Sequence, residues 1–264
     1  MGAQAELPYG VKVERSAVAG VPVERLSPAQ REPRVLLHLH GGGFAMGSCD
    51  SHRALAAHLS IACKAEVILP EYRLAPEHPF PAGLEDVVKV YSQLLDDGVR
   101  ADQIVVSGDS AGGGLALSSA LMAKERGLPL PRALVLLSPF TDLTLSAASL
   151  KTRAAVDPWL RPQDFPAICD AYLNGADPSH RLVSPLMADL SEFPPMLIHV
   201  GEQEVLHDDS TRLAERATAA GVEVELEVGE ELWHVWHFFA PALPEANEAI
   251  ERIGAFVDRI FDDR

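Results

Sequence analysis

Short apolar runs alternate with amphipathic segments along most of this 264-residue chain, and this alternation restricts its fold more than any other feature. Residues 104–107 and 133–137 are typical of buried strands, whereas residues 84–97 carry apolar side chains at helical spacing. Strands that are connected through helices form parallel sheets, and such sheets need helices on both faces. The pattern therefore predicts an α/β protein with a mostly parallel central sheet that is flanked by helices.

The same pattern assigns the other elements. Strands are expected as a pair within residues 11–26 and then at 34–40, 66–69, 104–107, 133–137, 196–200 and 222–228. Helices are expected at 51–64, 84–97, 111–126, 208–220 and 245–260. Residues 143–193 have no strand signal, and Pro158, Pro162 and Pro166 divide them into short helical pieces. We expect one domain over residues 1–264, in which 143–193 are inserted as a helical cap at the carboxyl edge of the sheet.

The charge of the chain excludes several classes of partner. With 22 Lys and Arg against 38 Asp and Glu, the formal net charge is −16, which argues against nucleic acid and against an anionic membrane surface. The 3 cysteines are far apart and favour a reducing compartment. The N-terminus has neither the basic nor the apolar segment of a signal peptide. We expect a cytoplasmic protein that acts on a small molecule, and the sequence is compatible with a monomer or a homodimer.

The chemistry of the chain is indicated first by residues 108–112, which read Gly-Asp-Ser-Ala-Gly between a predicted strand and a predicted helix. This is the G-x-S-x-G nucleophile elbow in its required strand–turn–helix context. The turn strains the backbone at Ser110 and lifts its hydroxyl above the sheet, and the glycines let strand and helix pack closely. The alternative is a glycine-rich turn with an incidental serine, which fits this context less well. Ser110 is therefore the predicted nucleophile.

Residues 40–44, His-Gly-Gly-Gly-Phe, form a second glycine-rich motif directly after a predicted strand. In proteins with such an elbow, an HGGG loop contributes amides to the oxyanion hole, because glycines let backbone N–H groups approach a tetrahedral oxyanion closely. The alternatives are a flexible connection or a phosphate cradle, but neither a Rossmann nor a P-loop motif is present. His38 and His40 form an H-x-H pair without a further ligand at suitable spacing, so we expect no metal site.

Further motifs stand in a fixed order around these two. Residues 72–82 read YRLAPEHPFPA, and residues 184–186, 194–196 and 234–237 read SPL, PPM and HVWH. From around His38 to the C-terminus, the chain resembles the bacterial hormone-sensitive-lipase-like esterases, the family IV carboxylesterases. The resemblance implies an α/β-hydrolase fold with a helical cap, and a serine carboxylesterase that cleaves short-acyl esters without a cofactor. It also implies an oxyanion hole made of Gly41, Gly42 and Ala111.

The acid and the base of the expected triad follow the serine, in the order Asp or Glu and then His. The family pattern Gly-x-x-Asp-x-Leu begins at Gly201 and assigns the acid to Glu204, where glutamate replaces the commoner aspartate. A glutamate still orients a histidine tautomer and stabilises its imidazolium form. Asp208 is the alternative acid, although Asp208 or Asp209 also fits the N-cap of the next helix. His234, in a loop after the last predicted strand, matches the family's base.

The substrate pocket is the least defined part of the expected site. Members of the family usually carry two helices before the first strand that form half of the cap, whereas about ten residues precede Val11 here. We therefore expect a reduced helical cap and a more open acyl pocket. The candidate wall residues are apolar and lie near the motifs: Phe44, Trp159, Leu160, Phe165, Leu206 and Trp236.

Two other functional classes use the same fold. A non-catalytic receptor would be expected to lack a member of the triad, whereas this chain has all three residues. A serine amidase would use the same residues as an esterase, so the sequence leaves esters and amides open as substrates.

Overall fold

The computed structural model describes residues 7–262 and contains every predicted strand and helix. The strands are β1 (Val11–Val18), β2 (Val21–Pro28), β3 (Val35–Leu39), β4 (Glu66–Pro70), β5 (Ile104–Asp109), β6 (Ala133–Leu137), β7 (Met196–Gly201) and β8 (Val224–Gly229). The α-helices are α1 (Cys49–Ala62), α2 (Ala82–Asp96), α3 (Ala111–Glu125), α4 (Ser149–Thr152), α5 (Phe165–Leu173), α6 (His207–Ala219) and α7 (Pro244–Asp262). Within residues 7–262, no helix combines the length and the apolar character that crossing a bilayer requires.

All eight strands form one sheet in the order β1-β2-β4-β3-β5-β6-β7-β8. Strands β3 to β8 run parallel to one another, whereas the β1–β2 and β2–β4 pairs are antiparallel. The parallel strands therefore end at one edge of the sheet, and the loops that follow them converge there. The prediction of an α/β-hydrolase fold with a mostly parallel central sheet is confirmed.

Alternate side chains of the parallel strands point to opposite faces of the sheet, and helices cover each face. Leu37 of β3 packs in the layer that includes α2 and α3, whereas its neighbour Leu36 packs with α1 and α7. Helix α3 consists largely of Ala, Gly, Ser and Leu and is buried over most of its length. Helices thus pack on both faces of the sheet, and the sheet in turn holds the loops at its carboxyl edge.

Residues 143–193 contain α4, α5 and two short 3₁₀ helices but no strand, as predicted. Helix α5 lies against the glycine-rich loop after β3. Tyr172 stacks on Phe44 with ring centroids 4.0 Å apart, and a Cβ on Gly43 would touch Ile168. The segment therefore covers the carboxyl edge of the sheet beside that loop, and its role as a cap stays a prediction.

The first turn of α6 carries two aspartates, and their predicted role as N-cap is wrong. The helix begins after Leu206 and has no side-chain cap. Asp208 instead accepts a hydrogen bond from the Ser149 amide at 2.9 Å. Buried Asp209 accepts one from the Thr141 amide at 2.7 Å. Both carboxylates thus bind the segment that follows β6.

Burial raises the pKa of the Asp209 carboxyl from 3.8 to about 7, because the uncharged form is favoured away from water. The folded protein then holds this proton more tightly than the unfolded chain, so the contribution of Asp209 to stability falls as the pH rises through this range. Asp209→Asn cannot ionise. The loss of unfolding free energy that this substitution causes, measured against the parent protein, should be about 2 kcal/mol smaller at about pH 8 than at about pH 5. Urea unfolding of both proteins at the two pH values measures this difference, and an equal or larger loss at the higher pH contradicts it.

Candidate active site

A sharp turn between β5 and α3 carries Ser110, whose backbone lies in the left-handed region with φ +52°. Residues other than glycine are strained there, and two hydrogen bonds hold the turn. The Ser110 amide donates to Leu137 O at 2.8 Å, and the Ser110 carbonyl accepts from the Phe140 amide at 2.9 Å. At Gly112 a Cβ would overlap the carbonyl oxygen of Leu39, so α3 approaches the end of β3 this closely only with glycine. The turn directs Ser110 to a cavity.

This cavity has a volume of about 390 Å³ and lies at the carboxyl edge of the sheet. Ser110 and His234 line it together with the glycine-rich loop. Apolar side chains form most of the remaining wall: Phe140, Trp159, Leu160, Phe165, Ile168, Leu206 and Phe238. A mostly apolar cavity of this size with a few converging polar groups is typical of a site for a small molecule.

His234 and Glu204, from the loops after β8 and β7, meet beside the elbow. Nδ1 of His234 lies 3.4 Å from Glu204 Oε1, and the two residues are 4% and 0% exposed. When Nδ1–H of a neutral imidazole donates to a carboxylate, Nε2 is left as the acceptor. The contact with Glu204 therefore favours the His234 tautomer whose basic nitrogen is Nε2.

Ser138, the first residue after β6, connects these two loops. Its hydroxyl donates to Glu204 Oε2 at 2.8 Å and accepts from the Val235 amide at 3.1 Å. The Gly201 amide donates to the same carboxylate oxygen at 3.1 Å. These donors compensate the carboxylate for the water that it loses on burial. One serine thus fixes Glu204 and the loop of His234 relative to each other.

The carboxylate of Asp109 is the central polar group behind the elbow. It is buried and accepts a hydrogen bond from the Gly41 amide at 3.1 Å. Nε2 of His52 lies 3.3 Å from this carboxylate, and Nε2 of His38 lies 3.5 Å from it. Burial opposes the charge of Asp109, but His52 and His38 outweigh this effect and hold the pKa of the carboxyl well below its usual range. A charge-assisted hydrogen bond therefore joins the glycine-rich loop to the elbow.

This contact corrects the predicted oxyanion hole. The Gly41 amide is engaged by Asp109 and is not available to a ligand. Within residues 7–262, the amides of Gly42, Gly43 and Ala111 donate to no protein acceptor. Gly42 and Gly43 also line the cavity, although Gly43 is not among the predicted donors. The free amides are thus one residue further along the loop than expected.

His40 supports the same loop from behind as a neutral imidazole. Burial and the nearby His52 lower the pKa of His40 to about 4. Its Nδ1 lies 2.9 Å from the carbonyl oxygen of Gly41. Its ring stacks on Tyr72 with centroids 4.2 Å apart, and the Tyr72 hydroxyl donates to the His40 carbonyl at 2.5 Å. The other member of the H-x-H pair, His38, has its Nδ1 2.8 Å from a serine hydroxyl on β5. Both histidines therefore contact protein groups.

Of the predicted pocket walls, four residues line the cavity and two do not. The four are Trp159, Leu160, Phe165 and Leu206. Phe44 turns away from the cavity and stacks on Tyr172 of α5. Trp236 is 1% exposed and packs in the core layer of α1 and α7, beside His237. Phe44 and Trp236 are therefore corrected from pocket walls to packing residues, because their rings fill space between elements.

Two polar residues of the site, His52 and Ser138, are not singled out by the sequence. Ser138 directly follows the buried run of β6, and this position at the carboxyl edge of the sheet is a signal that identifies it. His52 lies on α1, and its role comes from the tertiary contact with Asp109. Its local sequence contains no signal of that contact.

Comparison with known proteins agrees with the fold. Residues 36–238 match a family model described as the alpha/beta hydrolase fold. An acetyl-hydrolase of Streptomyces hygroscopicus is 45% identical over 234 residues, which are 89% of this chain and 78% of the relative. An esterase of Acinetobacter venetianus is 36% identical over 247 residues, 93% of this chain and 82% of that protein. The crystal structure of an esterase from the bacterial hormone-sensitive lipase family has a TM-score of 0.95 at 42% identity, and the match covers 97% of this chain and 87% of the other.

We expect Asp109→Asn to lower kcat by about 10- to 100-fold with a smaller change in KM. The amide keeps the shape of the carboxylate but removes its charge and one of its two acceptor oxygens. The Gly41 amide and the two histidines then compete for a single oxygen, so the loop shifts relative to Ser110. Steady-state hydrolysis of p-nitrophenyl acetate measures the effect.

Asp86→Asn is the matched control, since Asp86 is also buried and accepts several hydrogen bonds from Arg73, but does not line the cavity. It should lower the free energy of unfolding and leave kcat within about twofold of the parent value. Equal losses of kcat in the two variants, or no loss in Asp109→Asn, would show that Asp109 does not position the loop.

Proposed function

Since this chain belongs to the esterases of the bacterial hormone-sensitive lipase family, on the α/β-hydrolase fold, we propose that it hydrolyses short-acyl carboxylic esters with Ser110, His234 and Glu204 as its catalytic triad. The observation that carries the proposal is the 3.4 Å contact between His234 Nδ1 and a buried carboxylate, in a cavity that a serine on a strained turn also lines. A histidine that is oriented in this way takes a proton from a serine hydroxyl.

In the first half of the proposed reaction, Ser110 Oγ attacks the carbonyl carbon of the ester while His234 Nε2 takes the hydroxyl proton. Backbone N–H groups stabilise the charge that develops on the carbonyl oxygen. Gly42, Gly43 and Ala111 are our candidates, because their amides have no other acceptor within the described part of the chain. Collapse of the tetrahedral intermediate then breaks the bond to the alcohol, which leaves with the proton from His234. The acyl group remains on Ser110 as an ester.

In the second half, water takes the place of the serine. The oxygen of the water molecule attacks the acyl carbon while His234 accepts a proton from that water. His234 then donates this proton to Ser110 Oγ as the carboxylic acid is released. Glu204 keeps the imidazole in the required tautomer and stabilises its charged form without taking up the proton. The hydroxyl of Ser138, which donates to Glu204 Oε2, supports this role by holding the carboxylate in place.

The wall of the cavity supports a preference for short acyl groups. Phe140 and Phe165 pack edge to face with centroids 5.3 Å apart, and Ile168 of α5 lies beside them in the wall. An uncharged acyl chain fits such a surface, and the volume of about 390 Å³ limits its length. Because residues 143–193 contribute Phe165 and Ile168 to this wall, we propose that they form the cap over the substrate.

Ser110→Ala removes the proposed nucleophile and should lower kcat by about 10⁴-fold or more, with the fold intact. An organophosphate should label the parent protein once, at Ser110, as mass spectrometry of peptides would show. Ser51 is the internal control, because it is another serine that lines the cavity and should stay unlabelled. Label on a residue other than Ser110, or near-parental turnover in Ser110→Ala, would end the proposal.

Glu204→Gln should lower kcat by about 10³- to 10⁴-fold, because the amide favours the wrong His234 tautomer and removes the charge that stabilises the imidazolium. Asp208→Asn is the matched control for the alternative acid. It weakens the hydrogen bond from the Ser149 amide and the contact with His207 Nδ1, and should cost about 1 kcal/mol of stability while turnover is largely kept. Ester kinetics and chemical unfolding of both variants measure these effects, and the reverse pattern assigns the acid to Asp208.

A further inference from the structure

A second, shallower depression lies beside the cavity and has a volume of about 320 Å³. We call it the aromatic cleft, and it is lined by Pro158, Trp159, Trp233 and Phe239. Trp233 and Trp159 each meet Phe239 edge to face, with centroids 5.4 and 6.3 Å apart. None of the four residues is charged, and Trp159 is 41% exposed. Rings in this arrangement leave faces and edges open to a further aromatic group.

Trp159 is the wall that the aromatic cleft shares with the cavity. Its ring also lies edge-on to His234, with centroids 6.2 Å apart at an interplanar angle of 85°. In the proposed reaction His234 returns a proton to the leaving alcohol, so the alcohol oxygen has to lie within hydrogen-bond reach of that imidazole. The alcohol of a bound ester is therefore the part that lies nearest His234, and Trp159 stands beside that imidazole.

The carboxylate of Asp157 holds the backbone of the loop that carries Trp159. Its Oδ1 accepts hydrogen bonds from the amides of Trp159 and Leu160, each at 2.9 Å. Its Oδ2 accepts from the Val205 amide at 2.9 Å, and Val205 directly follows Glu204. The loop of the shared wall is thus tied to the loop of the proposed acid. A wall that is already ordered loses little conformational entropy when a ligand binds against it.

We infer that the aromatic cleft binds the alcohol part of the ester, and that the protein prefers esters whose alcohol carries an aromatic ring. The inference rests on the proposed function, because the role of His234 decides which side of the ester faces Trp159. A methyl or ethyl group would leave the cleft in contact with water. A ring would remove apolar surface from water and add edge-to-face contacts with Trp233 and Phe239.

The test compares 2-phenylethyl acetate with ethyl acetate, which share the acyl group and release primary alcohols. We expect kcat/KM of the parent protein to be at least about tenfold higher for the phenylethyl ester. Trp233→Ala and Phe239→Ala should each lower this ratio about fivefold or more. Two variants are compared so that a local change of structure in one of them does not decide the result. Leu226→Ala is the matched control. It removes an exposed apolar side chain from β8 and should leave the ratio unchanged.

A binding measurement separates this inference from the proposed function. Calorimetric titration of the Ser110→Ala protein with each ester should give tighter binding of the phenylethyl ester, and additional Trp233→Ala should remove the difference. If both esters are hydrolysed and neither cleft variant changes their ratio, the aromatic cleft does not bind the alcohol, although the proposed function stands. If the parent protein hydrolyses neither ester but the Ser110→Ala protein still discriminates between them, the proposed function fails and the cleft remains a binding site.

Discussion

The hydrogen bond from the Gly41 amide to the Asp109 carboxylate joins the two backbone segments on which the site depends. Asp109 ends β5 and directly precedes Ser110, so this contact sets the distance between the elbow and the glycine-rich loop. A Cβ on Gly41 would overlap the carboxylate. Glycine is therefore required at this position because the carboxylate approaches so closely, and not because a ligand binds there. An unpaired carboxylate at this depth would cost several kcal/mol. The imidazoles of His38 and His52 therefore belong to the same interaction.

The parallel sheet brings the remaining groups together from distant parts of the chain. Ser138 contacts residues 66 and 97 positions away, Glu204 and Val235, and each of the three follows a different strand. Because β6, β7 and β8 are adjacent and parallel, their carboxyl ends lie side by side, and short loops are sufficient to make these contacts. The order of the strands thus determines which loops share hydrogen bonds at the site.

Strands, helices and the elbow were predictable because each has a strong local signature in periodicity or motif. The corrected residues have no such signature. The sequence cannot distinguish the bound amide of Gly41 from the free amide of Gly43, because the difference is a tertiary hydrogen bond to Asp109. Trp159 and Trp236 are both aromatic residues near motifs, yet one faces the cavity and the other fills the core. Local sequence specifies residue type and backbone preference, whereas the partner of a side chain depends on the complete fold.

Backbone strain shows how the fold holds this site. Ser110, Ser138 and Val235 have φ values of +52°, +48° and +46°, in a region that is unfavourable for residues with a Cβ and most of all for a β-branched one. Two successive residues of this loop bind one support: the Val235 amide donates to the Ser138 hydroxyl, and the His234 imidazole lies against the carboxylate of Glu204, to which that hydroxyl donates. The left-handed conformation at Val235 turns the chain that follows this anchored pair into the 3₁₀ helix Trp236–Phe239, in which Trp236 and His237 are buried. The strain at Val235 therefore lets the chain turn back into the core directly after the anchored imidazole, and the packed sheet beneath the loops supplies the free energy that maintains this strain.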